Sequence, residues 1–203
     1  MRPAAFVAAL TGAVLLAFPS FAQQPPPTRI RGAIEAVGGP NLTIKSRSGE
    51  SLKVRLADNA RVSALVKASA ADLKPNTYIG VTSVPALDGS DKAVAVHIFP
   101  EERRGTAEGR INWDLLPDSK MTNGAVNLQV QGVQNSIMTV SYKGQESKIA
   151  LTPETKIAAY TGGDKSELKP GTQIIISAAM KGEDGTFLAP AISYGRDGLT
   201  PPM

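Results

Sequence analysis

The chain has 203 residues, with 22 lysines and arginines against 18 acidic residues, one histidine, one tryptophan and no cysteine. Without cysteine there is no disulfide, no cysteine-ligated metal, no thiolate nucleophile and no lipid attachment at a cysteine. The formal charge of +4 is modest, and its basic excess lies between Thr28 and Arg104, so an anionic partner would favour the first half.

The N-terminus reads as a cleavable signal peptide over residues 1–22. Arg2 is the only charged side chain before Arg29, an apolar run follows from Ala4 to Phe18, and Ser20 and Ala22 are small residues spaced for signal peptidase. The run falls short of the ~20 apolar residues of a spanning helix. No later segment approaches that length, so the expectation is a periplasmic or secreted chain that is not an integral membrane protein. Residues 23–27 form a proline-rich leader. The mature chain must be stabilised by packing alone, where small exported domains often use disulfides.

From Thr28 onward the pattern is one of short strands. Leu52-Lys53-Val54-Arg55-Leu56 alternates apolar and charged residues, as a half-buried strand does. Gly49 and Gly144 lie between strand-like runs, where a turn needs positive φ. Ser63 to Leu73 has the best helical composition, and at most a short helix is expected there. In Asp72-Leu73-Lys74-Pro75-Asn76 the proline presets the first corner of a turn, and Asn76 tolerates φ > 0 at the second. Gln173-Ile174-Ile175-Ile176-Ser177 suits a central strand.

The chain also repeats itself. Leu42-Thr43-Ile44 returns as Met138-Thr139-Val140, Gly49-Glu50-Ser51 as Gly144-Gln145-Glu146-Ser147, and Asp72-Leu73-Lys74-Pro75-Asn76 as Glu167-Leu168-Lys169-Pro170-Gly171. Asp88-Gly89 matches Asp184-Gly185, and Ala93-Val94-Ala95-Val96 matches Ala189-Pro190-Ala191-Ile192. The offset is 95 or 96 residues throughout, as from 72 to 167 or from 42 to 138. Ordered matches at one offset point to a tandem duplication. The expected fold is all-β: two tandem small OB-like β-barrels joined by a long linker. The first barrel would span 28–100, the linker 101–123 and the second barrel 124–198, with a tail at 199–203.

These motifs resemble the bacterial domain of unknown function 5666, an OB-like barrel of exported proteins that often occurs in tandem. Trp113-Asp114-Leu115-Leu116-Pro117, Met121-Thr122-Asn123 and the tail from Gly195-Arg196-Asp197-Gly198 to Met203 are similar to one proteobacterial group of two-domain proteins. In that group a histidine often precedes the Trp-Asp pair, where this chain has Arg110. Some relatives carry a metal-transport label. The resemblance implies fold and export and leaves the activity open.

Three candidate sites follow. Arg29, Arg31, Lys45, Arg47, Lys53 and Arg55 alternate along the first three strands. They form either a positive binding face for an anionic lipid, polysaccharide or acidic envelope protein, or an ordinary solvated face. Nucleic acid is not expected, since aromatic stacking platforms are few and the chain is exported. His97, near Glu101 and Glu102, is only a weak metal candidate, because a transition-metal site needs three or four convergent ligands; it reads as a surface histidine. Trp113, in the linker, reads as a plug between the barrels or as an aromatic binding patch. No nucleophile elbow, phosphate-cradling glycine motif or zinc-protease motif occurs. The expectation is therefore a non-catalytic binding or scaffolding module with no cofactor, and the alternative is an accessory protein of envelope metal handling or transport.

Overall fold

The structure is a computed structural model that describes residues 26–87, 89–130 and 136–202. The signal segment 1–22, residues 23–25 of the leader, and Asp88 of the first Asp-Gly pair lie outside the described residues.

The fold is all-β. Its strands are β1 (Thr28–Gly38), β2 (Asn41–Ser46), β3 (Ser51–Lys67), β4 (Tyr78–Pro85), β5 (Asp91–Ile98) and β6 (Gly109–Asn112). They continue with β7 (Lys120–Val130), β8 (Ser136–Tyr142), β9 (Gln145–Leu151), β10 (Lys156–Gly162), β11 (Gln173–Lys181) and β12 (Phe187–Gly195). Short 3-10 turns are the only helical elements among the described residues. Ser63 to Leu73, the stretch with helical composition, is strand as far as Lys67 and then a 3-10 turn at Ala70–Asp72. Pairing with two neighbouring strands overrides local propensity there.

β1, β2, β3, β12 and β11 pair in that order, and β11 closes back on β1 to complete a five-stranded barrel. Inward-facing Ile30, Ile34, Leu42, Ile44, Val54 and Ile176 fill it. A second ring runs β7, β8, β9, β5, β4 and returns to β7. Ile79, Val81, Val96, Met138, Val140 and Ile149 pack its interior. β10 joins the two, antiparallel to the end of β3 and parallel to β5.

Each ring therefore takes three strands from one half of the chain and two from the other. This corrects the expectation that 28–100 and 124–198 each close a barrel of their own. The reason is the length of β3. Its 17 residues span about 55 Å, so its first part pairs with β2 while its last part, Ser63–Lys67, has already reached β10. After the connection from Ala68 to Thr77, β4 enters the second ring. The expected linker 101–123 also carries structure: it holds β6, which pairs with β7, and β7 itself begins at Lys120.

The registers of the two rings correspond. Leu65 lies opposite Tyr160 at the centre of the β3–β10 pairing, with Ala64 opposite Thr161 and Val66 opposite Ala159. Phe187 pairs with Val54 in one ring and Asp91 with Ile149 in the other; Ala191 pairs with Arg61, and Ala95 with Lys156. The turns follow their sequence: Thr77 N–H donates to Lys74 O and Thr172 N–H to Lys169 O, both at 3.0 Å, with φ of 66° at Asn76 and 89° at Gly171.

Candidate functional site

The seam between the rings holds a third apolar cluster of Leu65, Met121, Ala158, Tyr160 and Ile175, against which Phe99 and Trp113 pack. Beside it lies a cavity of about 270 Å³. Its polar side chains come from separate elements.

His97 is on β5. Alternation turns Val96 and Ile98 into the second ring and His97 to the other face, as the sequence implies. That face is not solvent, however. β10 runs alongside, Ala158 lies opposite His97, and the Tyr160 ring sits 6.0 Å away. His97 is 0% exposed, which corrects the expectation of a surface histidine. Both of its ring nitrogens are buried without a hydrogen-bond partner. Burial lowers its pKa to about 3, so the imidazole is neutral, with one donor and one acceptor.

Asn123 stands on β7 opposite Gly80 of β4. Its Nδ2 donates to Ala107 O at 3.1 Å, while Oδ1 is buried and unpartnered. A Cβ at position 80 would come within 2.6 Å of that oxygen, so glycine leaves room for the amide. Arg103 ends the 3-10 turn Glu101–Arg103. Its guanidinium lies 4.4 Å from the Tyr160 ring centre and 4.9 Å from that of Phe99, and these two rings stack at 5.1 Å. Arg103 Nε has no partner, and burial lowers the arginine's pKa.

Trp113 follows β6, held by its backbone N–H to Ser119 O at 2.8 Å. The Arg29 guanidinium stacks 3.7 Å above its ring. Asp114 bonds Arg31 at 2.7 Å and Arg29 at 3.3 Å, and its pKa is lowered first by the hydrogen bond from Arg31. The indole N–H is buried and unpartnered, as is Arg29 Nε. Trp113 thus plugs the seam and lines the cavity at once.

Arg29, Arg31, Lys45, Lys53 and Arg55 share one face of adjacent strands β1, β2 and β3, with Arg47 in the turn just after β2, and neighbours offset part of their charge. Arg29 and Arg31 are committed to Asp114 and Trp113. Lys45 lies 4.0 Å from Glu35, and Arg47 donates to Pro201 O at 3.3 Å. Lys53 and Arg55 stay exposed on the outer face.

Arg103, Tyr160 and Ser177 also line a second cavity of about 230 Å³, with Arg61, Ser63 and Ser193. Among the described residues no three of His, Asp or Glu gather into a group that could hold a metal ion. Glu101 and Glu102 do not line the cavity that His97 faces, and Glu101 is taken by Arg104.

Sequence reasoning singled out His97 and Trp113 and missed Arg103, Asn123, Tyr160 and Phe99 as a set. A usable signal lay in the places where the two repeats differ: His97 against Ser193, Phe99 against Gly195 and Tyr160 against Leu65. Comparison of the chain with models of known families, with curated proteins and with solved structures finds no match.

Proposed function

We propose that the chain is a non-catalytic, ligand-binding module of the cell envelope, and that its site is the cavity at the seam. In this reading the chain is exported after cleavage behind Ala22. Its two rings are OB-like barrels that arose by tandem duplication and exchanged strands, and the corresponding registers support that origin.

One observation carries the binding reading. Arg29, His97, Arg103, Trp113 and Asn123 each bring a buried, unpartnered polar atom, and all five side chains line the same cavity. Each such group costs about 1–3 kcal/mol when left unsatisfied, and a ligand around which the wall closes, drawing these atoms into hydrogen bonds, would offset that cost. The volume lies just under the ~300–1,000 Å³ of drug-sized sites, which fits a small molecule. Two guanidiniums on the wall disfavour a metal cation, so metal handling loses ground. Catalysis finds no support either: an imidazole with a pKa near 3 is a poor base at neutral pH.

Native mass spectrometry on mature protein isolated from the envelope without denaturation tests this reading. A complex heavier than the chain by one small organic molecule, released on unfolding, is expected. A spectrum of bare chain alone, from material never dialysed or denatured, overturns it.

A further inference from the structure

The charges around the seam cavity constrain what fills it. Arg29 shares the Asp114 carboxylate with Arg31. Arg103 has no such partner. No carboxylate lies within ion-pair distance of it among the described residues, and the neighbouring Glu101 bonds Arg104 instead. Arg61 likewise has no ion-pair partner among the described residues, and it raises the positive potential on the far side of Arg103, where the two cavities share that side chain. A half-buried cation with no counter-charge is costly, and an anion brought by a ligand would offset that cost.

The unpartnered atoms constrain the ligand further. Arg29 Nε, Arg103 Nε and Trp113 Nε1 are donors; Asn123 Oδ1 is an acceptor; neutral His97 offers one of each. Donors predominate, so a ligand that draws these side chains toward it should carry more acceptors than donors. The remaining wall is largely aromatic and apolar, from Phe99, Trp113, Tyr160, Ile111 and Met121, and such a surface favours a flat ring. The cavity has room for one ring and a few substituents.

We infer that the seam cavity binds a small planar aromatic carboxylate carrying a ring hydroxyl or N–H donor, with its carboxylate on Arg103 and its donor on Asn123 Oδ1 or His97. This rests on the binding reading above and narrows it to one chemical class.

Calorimetric titration of the full mature chain, freed of any bound compound by exhaustive dialysis, tests it with 4-hydroxybenzoate and its neutral isostere 4-hydroxybenzamide. The carboxylate should bind at one site per chain, about tenfold or more tighter than the amide. Arg103→Gln should weaken the carboxylate by a similar factor and the amide by much less, a selective loss that a misfolded variant would not show. Arg61→Gln should weaken the carboxylate only about two- to threefold, acting through its field. Acetate and inorganic phosphate should bind far more weakly, because they lack the ring. Equal affinity for amide and carboxylate, unaltered carboxylate binding in Arg103→Gln, or no binding of either compound each overturns the inference. The native mass spectrum remains a separate check on the cavity, so a bound neutral compound there would sink the anion assignment and leave the binding reading intact.

Discussion

His97 is held neutral by its surroundings: it is 0% exposed, packed beside Tyr160, and burial is what lowers its pKa. Its pKa falls from 6.5 to about 3. The sign of the resulting pH dependence follows directly. Between those two values the unfolded chain takes up a proton that the folded chain refuses, so folding stability drops as pH falls through 6.5 toward 3. From pH 7.5 to pH 5 this one residue should cost about 2 kcal/mol. Glu167, with its pKa lowered to about 2 by Arg196, contributes below its ordinary value of 4.5 and so acts mostly beneath that window. Urea unfolding at pH 7.5 and pH 5 should therefore show a loss in the wild-type chain that largely vanishes in His97→Asn. Equal losses in both would mean that His97 titrates normally and that the cavity is wetter than its packing implies.

At the scale of elements, strands exchanged between halves hold the molecule together. Much of this was readable in the residues. The alternation in Leu52–Leu56, the turn at Pro75-Asn76, its partner at Pro170-Gly171 and the apolar run at Ile174–Ile176 all took the expected form, with the three isoleucines no more than 2% exposed. Which ring each strand closes was not readable. Both repeats carry the same local pattern, so self-closure and exchange satisfy the same alternation and the same turns. The exchange goes with the end of β3 and with β10, which pair with each other between the rings; in the second half β10 is set off from β9 by the turn at Thr152–Thr155. Close approach also went unseen. A Cβ at Gly32 would lie 2.0 Å from Lys45 O, and one at Gly124 would lie 2.3 Å from Ser141 O, so both strand crossings require glycine. The exchange has a direct consequence for residues 26–104 expressed alone. They retain β1 to β5 but lose the strands that close both rings, and β4–β5 becomes a hairpin with no sheet to join. This fragment should give either a poorly dispersed amide NMR spectrum or a dimer in sedimentation, two copies supplying each other's missing strands. A well-dispersed spectrum from a monomer would contradict the exchanged topology.

Across the whole molecule, joining two rings through β3 and β10 places functional groups where neither ring alone would have them. The cavity wall draws on the stretch from β4 through β5 and the Phe99–Trp113 segment to β7, and on β1, β10 and β11, which lie far from it in the chain. That is why a lone histidine and a lone tryptophan were visible in the sequence while the site they share was not. The central claim is that this wall was built for a solute and not merely for solvent. Ordered waters making a few hydrogen bonds each could satisfy His97, Arg103, Trp113 and Asn123 equally well, and that is the competing account. A high-resolution crystal structure of the protein purified from its native cells without denaturation separates the two. The binding account predicts continuous, planar, non-water density against Phe99, Trp113 and Tyr160, with polar atoms within hydrogen-bond distance of Arg103 and of Asn123 Oδ1. Discrete water peaks alone, bridging those same atoms, would contradict it.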